Sequence, residues 1–263
     1  MTRRTQAQII EIFHLLFLRV MAPGNAEWFT LKGGANLRYF FASPRYSNDI
    51  DLDFAGRESW AVAKAVESAL GGKALSVLTR AASLSIEEQT TPKQTPTTLR
   101  WKIGLRAPEH QDLIRTKIEF SGRGNESVDA EFAVVPDDVV RPYALHAPTV
   151  RHYRETAAID QKIAALALRS ETKARDIFDL DLLFRQRRAT QSHLTGLDST
   201  HSSAAAERAL AIPFANFVSE VAPFLDAELA ALYDAPLWDA MCLALAEILD
   251  ELAAGATADG GAT

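Results

Sequence analysis

Cysteine is almost absent from this 263-residue sequence, and no long uncharged apolar run occurs in it. Because Cys242 is the single cysteine, an internal disulfide is excluded, and the usage fits a reducing compartment such as the cytoplasm. The most apolar stretch, residues 9–21, contains Glu11 and Arg19 and is shorter than the roughly 20 apolar residues that cross a bilayer. We therefore expect a cytoplasmic protein with neither a membrane span nor a signal peptide.

Charge is distributed unevenly along the chain. The net charge is zero over residues 1–140, +4 over 141–188 and −10 over 189–263. A net-negative protein with a basic middle segment can still bind nucleic acid locally, although solvated helix faces explain such a segment equally well. The candidate phosphate contacts in it are Arg141, Arg151, His152 and Arg154.

Apolar spacing predicts helices and strands in the first part of the chain and helices alone afterwards. The helices expected in the first part are residues 5–21, 35–41 and 58–70. The strands expected there are 48–54, 74–78, 84–88, 98–105 and 116–120, with 128–135 as a further strand and 90–97 as a loop.

Beyond residue 156 the pattern predicts helices at 157–168 and 174–187, a linker at 189–203 and a disordered tail after Ala253. This order of elements indicates an α+β fold, with a mixed sheet, flanking helices and a helical C-terminal part. We expect an α/β core domain over residues 1–150 and a helical domain over 151–263.

Aspartate alternates with apolar residues after Ser47, giving Asp49, Asp51 and Asp53 around Ile50 and Leu52. Side chains two apart on a strand project to the same face, so these carboxylates repel one another unless a cation lies between them. Magnesium prefers oxygen ligands and is usually held by one or two carboxylates plus substrate phosphates. The strand predicts a metal-dependent phosphoryl- or nucleotidyl-transfer site, with a solvated edge strand or a calcium site as the alternative.

Two other motifs accompany this strand. Gly33 and Gly34 let backbone amides approach a phosphate with no side chain in the way, although such a pair also forms ordinary turns. Further along, Lys162 precedes the sequence Arg175-Asp176, which by itself is typical of a surface ion pair. The combination of the three motifs in this order is more specific than any one of them.

In this order the motifs LKGGANLR (residues 31–38), RYSNDIDL (45–52) and Lys162 followed by RDIFDL (175–180) resemble the AbiEii-type nucleotidyltransferase toxins. These toxins belong to the DNA polymerase β-like nucleotidyltransferase superfamily and include the MenT-type toxins of type IV toxin–antitoxin systems. The resemblance spans about residues 29–187 and implies the mixed sheet with flanking helices of that superfamily. It also implies that the helical domain completes the active-site cleft.

The resemblance implies a role for each motif. Gly33 and Gly34 would cradle the nucleotide phosphates, and Ser47 would hydrogen-bond one of them. Asp49 and Asp51 would hold Mg²⁺, or Mn²⁺ in its place, and activate the acceptor hydroxyl. A shift of register would make Asp51 and Asp53 the pair instead.

The superfamily has a third carboxylate on a later strand, for which Glu119 is the natural candidate and Asp129 and Glu131 are rivals. Lys162 and Asp176 match the essential lysine and aspartate of the toxin family. We expect Lys162 on the nucleotide phosphates and Asp176 beside it, orienting Lys162 or a basic neighbour such as Arg175.

The function that the resemblance implies is the transfer of nucleotides from a nucleoside triphosphate to an acceptor, with release of pyrophosphate. The implied acceptor is the 3′ end of a tRNA, whose modification would block translation and growth, and the implied partner is a cognate antitoxin. Two alternatives stay open, namely a nucleotidyltransferase that modifies a protein or an antibiotic-type small molecule, and a non-enzymatic binding protein that keeps the fold.

Overall fold

The computed structural model describes residues 3–122, 129–188 and 194–259. By its internal contacts the chain forms two compact units, Met1–Ala42 with Tyr46–Tyr153, and Ser43–Arg45 with Arg154–Thr263. The short segment Ser43–Arg45 thus belongs to the second unit, although it lies within the sequence of the first. In the part of the chain that the structure describes, no helix is long and apolar enough to cross a membrane.

The first unit is a mixed sheet with helices. Its helices are α1 (Gln6–Met21), α2 (Gly33–Phe40), α3 (Ser59–Leu70), α4 (Lys73–Ala81) and α5 (Asp137–Val140). Its strands are β1 (Phe29–Lys32), β2 (Asp49–Phe54), β3 (Ser85–Thr95), β4 (Thr98–Arg106), β5 (Ile114–Gly122), β6 (Ala130–Val134) and β7 (Thr149–Tyr153). The strand order is β3-β4-β5-β2-β1-β7-β6, in which β2 runs parallel to β5, and β1 runs parallel to β7.

One face of this sheet is covered by helix α1. The helix begins with a capping box, in which the side chain of Thr5 accepts from the amide of Gln8 and the Gln8 side chain accepts from the amide of Thr5. Fully buried Phe13 and Phe17 of α1 belong to the same core as Trp101 of β4. The opposite face of β2 therefore carries its polar side chains, as the alternation of the sequence predicts.

A buried hydrogen-bonded chain fixes the start of β2. The Thr116 hydroxyl of β5 donates to the carbonyl oxygen of Asn48, with 2.7 Å between the oxygens. Its single proton is used there, so the Thr116 oxygen accepts from Nε2 of His14 at 2.7 Å. Burial lowers the pKa of His14 to about 3, which keeps the ring neutral in the folded protein.

Two predictions for the first unit are wrong. Residues 74–78, expected as a strand, lie in helix α4, whose buried Leu75 and Thr79 are four residues apart on one helical face. Residues 90–97, expected as a loop, are mostly part of β3. This strand lies at the sheet edge, and its register shift between Thr90 and Lys93 accommodates Pro92, so it tolerates a polar sequence that an interior strand would not.

The strand expected at 84–88 is confirmed but extends to Thr95 as β3, and the other strands and helices predicted for the first unit are confirmed within a few residues at their ends. The strand expected at residues 128–135 corresponds to β6, although Val128 lies outside the described residues. Strands β1 and β7 and the short helix α5 are not among the predicted elements.

The second unit is helical. Its helices are α6 (Glu155–Leu168), α7 (Ala174–Arg188), α8 (Ser202–Leu210), α9 (Phe214–Glu220), α10 (Ala227–Ala230) and α11 (Ala235–Asp259). They bury large side chains such as Phe184, Phe217 and Trp238.

The helices predicted at 157–168 and 174–187 are confirmed as α6 and α7. The expected linker at 189–203 lies partly outside the described residues, and α8 occupies its end. Disorder from residue 254 was expected, but α11 continues to Asp259, because alanine, which is frequent there, favours helix. Residues 260–263 lie outside the described part of the chain.

We predict that His14 makes the protein sensitive to mild acid. The pKa of His14 is about 3 in the folded protein and near 6.5 in the unfolded chain, so the unfolded chain binds one more proton between these pH values. Stability supplied by the neutral ring is therefore present above pH 6.5 and lost as the pH falls towards 3, by about 1.4 kcal/mol per pH unit. Urea unfolding between pH 7 and 4.5 should show this extra slope in the wild type and not in His14→Gln. Equal slopes in the two proteins would contradict the prediction.

Candidate active site

The acidic face of β2 lies beside charged residues of both neighbouring strands. In the parallel pairing with β5, Asp49 lies opposite Lys117 and Asp51 lies opposite Glu119. In the antiparallel pairing with β1, Asp51 lies opposite Lys32. The strand registers thus place Asp49, Asp51 and Glu119, the carboxylates that the resemblance implies as metal ligands, on neighbouring positions of one surface.

An ammonium group sits between two of these carboxylates. Lys117 Nζ is 3.0 Å from Asp49 Oδ2 and 3.9 Å from Glu119 Oε2. Glu119 also accepts a hydrogen bond from Arg100 Nε at 2.6 Å. Among the residues that the structure describes, no three His, Cys, Asp or Glu side chains are close enough together to hold a metal ion. Glu119 therefore lies beside Asp51 in the strand register. Its carboxylate is hydrogen-bonded to Arg100, however, and does not form a metal-binding cluster with the two aspartates.

The surroundings of Asp51 disfavour the charged form of its carboxyl group. Burial raises the pKa of its carboxyl group, the ammonium groups of Lys117 and Lys32 oppose this rise, and the charges of Asp49 and Glu119 add to it. A raised pKa means that the charged form of Asp51 is less favourable here than in water. The charge of this carboxylate is thus incompletely compensated by the protein.

Gly33 lies against this carboxylate. Its φ of +66° is in the left-handed region, and a Cβ atom added to it would lie 3.2 Å from Asp51 Oδ2. Gly33 and Gly34 are the first residues of α2, and the N-cap residue Lys32 makes no side-chain capping hydrogen bond. The first-turn amides of α2 are therefore available, at the positive end of the helix dipole, to bind an anion.

Asp53 is neutralised separately from the other two aspartates. It is buried, pairs with the ammonium of Lys32, and accepts a hydrogen bond on Oδ2 from the hydroxyl of Tyr153 at 2.7 Å. Because both of its oxygens are bound by protein groups, Asp53 is poorly suited to bind a metal. This arrangement favours Asp49 with Asp51 over Asp51 with Asp53 as the metal pair.

The rivals of Glu119 lie elsewhere in the sheet. Glu131 is on β6, three strands from β2, and its carboxylate is 3.9 Å from Nε2 of His152. Asp129 precedes β6 on the same edge. With strands about 4.8 Å apart, this edge is roughly 14 Å from β2. The strand order therefore favours Glu119.

Ser47 is used locally. Its hydroxyl donates to the backbone carbonyl of Asp49 at 2.7 Å, which shapes the entry into β2. In this geometry Ser47 orients the strand that bears the aspartates, and its role as a phosphate ligand stays a prediction.

In the helical unit, Lys162 lies between two buried carboxylates. Its Nζ is 2.9 Å from Asp176 Oδ1 and 2.6 Å from Asp179 Oδ2. Arg169 Nε approaches the second oxygen of Asp176 at 3.3 Å. The structure therefore brings Lys162 and Asp176 together as expected, and the basic neighbour at Asp176 is Arg169 rather than Arg175.

Sequence reasoning did not assign a role to Asp179 or Arg45. Arg45 donates from Nε to Asp179 Oδ1 at 3.1 Å and from Nη2 to Asp179 Oδ2 at 2.8 Å, a bidentate pair. Burial raises the pKa of Asp179, but Arg45 and Lys162 outweigh this effect and hold the pKa below its usual value. The signal was the spacing of Asp176 and Asp179, since residues three apart on a helix share a face.

One expected nucleic-acid contact is wrong. His152 is buried and stacks on the ring of Phe40 with 3.6 Å between the ring centroids. Its Nδ1 lies 3.1 Å from Oδ1 of Asn36. His152 is therefore a core residue of the first unit and is not a surface contact.

We predict that Asp51→Asn stabilises the protein in the absence of metal. The raised pKa of Asp51 means that its charge destabilises the fold at neutral pH, and this cost disappears only as the pH falls below the ordinary aspartate value near 4. Thermal unfolding at pH 7.5 with a chelator should give a higher midpoint for Asp51→Asn than for the wild type. Asp53→Asn is the matched change on the same face and should lower the midpoint, because it weakens the contacts to Lys32 and Tyr153. A lower midpoint for both variants would contradict the prediction.

Asp179→Asn should destabilise the protein, and the loss of unfolding free energy should be large. Removing one partner of a buried ion pair leaves the other charge uncompensated, which costs about 3–5 kcal/mol. Because the pKa of Asp179 is lowered, its contribution is present above pH 4 and is lost as the pH falls through the folded value. Chemical denaturation at pH 7 measures the loss. Arg185→Gln breaks an exposed ion pair on the same helix and should change stability by less than about 1 kcal/mol. A similarly small change in stability for both variants would contradict the conclusion that the Asp179 carboxylate stabilises the fold.

Comparison with known proteins bears on the family and the fold of the chain. The model of the family described as "Nucleotidyl transferase AbiEii toxin, Type IV TA system" matches residues 15–252. No curated protein sequence matches the chain.

The crystal structure of JHP933 from Helicobacter pylori aligns with a TM-score of 0.63 and 18% identity, covering 99% of each chain. A second H. pylori structure, provisionally named a nucleotidyltransferase, aligns with a TM-score of 0.60 and 18% identity, covering 92% of this chain and 95% of the other. At this identity the two structures bear on the fold, and they agree with the expected mixed sheet and flanking helices. Since the family model covers most of the sequence, the chain belongs to the AbiEii family of nucleotidyltransferase toxins of type IV toxin–antitoxin systems.

Proposed function

We propose that this protein is a magnesium-dependent nucleotidyltransferase that acts in the cytoplasm on the 3′ end of tRNA and thereby arrests translation and growth. The observation that carries the proposal is the pair Asp49 and Asp51 on one face of β2, next to the glycine turn at Gly33. Family membership supports the reaction class and implies an antitoxin partner. The tRNA acceptor comes from the resemblance of the motifs.

The donor set fits a divalent cation. Asp49 and Asp51 offer carboxylate oxygens, which Mg²⁺ and Mn²⁺ prefer, and the raised pKa of Asp51 reflects a negative charge that a cation would compensate. Lys117 already holds a positive charge 3.0 Å from Asp49. Glu119 would join the ligands if Arg100 released it. When bound, Mg²⁺ would supply positive charge to the phosphate oxygens and lower the pKa of the acceptor hydroxyl.

The residues of the first unit have separate tasks in the proposed reaction. The amides at Gly33 and Gly34 hold the triphosphate, and their fixed dipoles face charge that develops during transfer. The acceptor oxygen attacks the α-phosphorus in line, and the bond from that phosphorus to the bridging oxygen breaks. Asp49 takes the hydroxyl proton on its carboxylate, and the bond electrons leave with pyrophosphate.

Lys162 and Asp176 enter the proposal through the family motif. Lys162 donates to Asp176 and contacts Asp179, and these two carboxylates fix the position of its ammonium group. We propose that the fixed ammonium interacts with the phosphates of the nucleotide, and that Asp176 serves to position Lys162. The measurable consequence is that Lys162→Met weakens nucleotide binding as well as turnover.

The test is incorporation of label from each of four radioactive nucleoside triphosphates into total tRNA, protein or small-molecule acceptors by purified protein with Mg²⁺. Wild type should label tRNA, and Asp49→Asn should be at least about 10²-fold slower, as for the loss of other charge-stabilising catalytic groups. Asp138→Asn, an exposed aspartate on α5, is the matched control and should keep full activity.

Mass spectrometry of tRNA 3′ ends after induction in cells then identifies the product. Added nucleotides should appear with the wild type and be absent with Asp49→Ala. Label on protein or a small molecule alone would exclude the tRNA acceptor. A wild type as inert and as harmless as Asp49→Ala would favour a binding protein that retains the fold.

A further inference from the structure

The outer face of β4 and β5 carries a group of cationic side chains next to Asp49. The antiparallel register places Lys102 of β4 directly opposite Lys117 of β5. Arg115 lies two positions before Lys117 on the same face of β5. These three side chains, Lys102, Arg115 and Lys117, are called the β4–β5 cationic group below.

Two lysines directly opposite each other on adjacent strands are unfavourable, because like charges repel at this separation. Lys117 is compensated by Asp49 and Arg115 by Glu88, at 3.0 and 2.6 Å. Within residues 3–122, 129–188 and 194–259, Lys102 has no carboxylate partner. The group therefore retains an uncompensated positive charge, and occupation of Asp49 by a metal would leave Lys117 with the more distant carboxylate of Glu119, at 3.9 Å.

The same three side chains line a cavity of about 320 Å³, whose lining also includes the carboxylates of Asp49 and Glu88. This volume is at the lower end of the range for small-ligand pockets. Because Asp49 lines it, a group bound in the cavity lies next to the aspartate that we propose takes the acceptor proton.

The strand order distinguishes this cavity from the glycine turn. Strands β5 and β4 lie on one side of β2, whereas β1 and the glycine turn that follows it lie on the other. An in-line transfer needs the acceptor and the departing pyrophosphate on opposite sides of the reacting phosphorus. If the glycine turn binds the triphosphate, the acceptor approaches from the side of β5 and β4.

We propose that the cavity at the β4–β5 cationic group binds a backbone phosphate of the acceptor RNA strand, next to its reacting 3′ end. This inference rests on the proposed function, because it uses the glycine turn as the donor site. Lys102 is the main contact, since no carboxylate in the described part of the chain is paired with it. Arg115 is an auxiliary contact, because its exposed pair with Glu88 is easily exchanged for a phosphate. Lys117 would become a further contact if a cation took its place beside Asp49.

Binding of fluorescent tRNA to the full chain tests the proposal without turnover. Anisotropy titrations over a series of salt concentrations should show roughly 3- to 10-fold weaker binding for Lys102→Gln, and still weaker binding for Lys102→Glu. The slope of log K against log salt should fall by about 0.7 for Lys102→Gln, the value for one single-strand phosphate contact. Lys64→Gln removes an exposed lysine from α3 and should leave both quantities unchanged. Since Lys102→Gln removes a like-charge contact, its thermal midpoint should be no lower than that of the wild type.

The affinity for a nucleoside triphosphate, measured by calorimetry, should be the same in the wild type and in all three variants. Equal tRNA binding by Lys102→Gln and Lys64→Gln would overturn the proposal, as would a wild type that does not bind tRNA. A loss of triphosphate affinity in Lys102→Gln, with tRNA binding intact, would also overturn it, because the cavity would then hold the donor.

Failure of the proposed function gives a different result. In that case the wild type transfers no nucleotide to any acceptor, while Lys102→Gln still weakens tRNA binding relative to Lys64→Gln. That result would support the cavity as an RNA site and contradict the transfer reaction.

Discussion

Three aspartates on one face of β2 repel one another, and the protein compensates each of them differently. Asp53 is bound by Lys32 and Tyr153, and Asp49 is paired with Lys117. Asp51 has the least complete compensation, since burial raises its pKa despite two nearby lysines. The strained charge lies against Gly33, where a larger residue would crowd it. A strand that retains a destabilising charge is typical of a functional site rather than a structural one.

In the helical unit, by contrast, a buried aspartate is held in its charged form by neighbouring basic residues. Asp179 is completely buried, but Arg45 and Lys162 hold its pKa below the usual range, so its charge stabilises the unit. Arg45 comes from the short segment Ser43–Arg45, four residues before Asp49 in the sequence. A motif that reads as a single stretch, residues 45–52, therefore divides into an arginine that stabilises the helical unit and aspartates that belong to the sheet.

Local patterns predicted much of this structure. Alternation predicted β2 and the common face of its aspartates, because the strand is half-buried at the middle of the sheet. The same reasoning failed for the edge strand β3 and the amphipathic helix α4, where exposure weakens the apolar signal. The sequence motifs predicted that Lys162 and Asp176 lie together. They did not predict the pairing of Arg45 with Asp179, because these two residues are 134 positions apart in the sequence. The engagement of Glu119 by Arg100 depends on the register of β4 with β5, which no local pattern encodes.

The account depends on the claim that Asp49 and Asp51 together bind a divalent cation at the glycine turn. A crystal structure of the protein with Mn²⁺ and a non-hydrolysable nucleoside triphosphate analogue, with anomalous data, tests this claim most directly. We predict an anomalous peak within about 2.5 Å of carboxylate oxygens of both Asp49 and Asp51, with Lys117 moved away from Asp49 and the triphosphate on the amides at Gly33 and Gly34. A manganese ion bound elsewhere, with the contact of Lys117 to Asp49 unchanged in the nucleotide-bound protein, would contradict it.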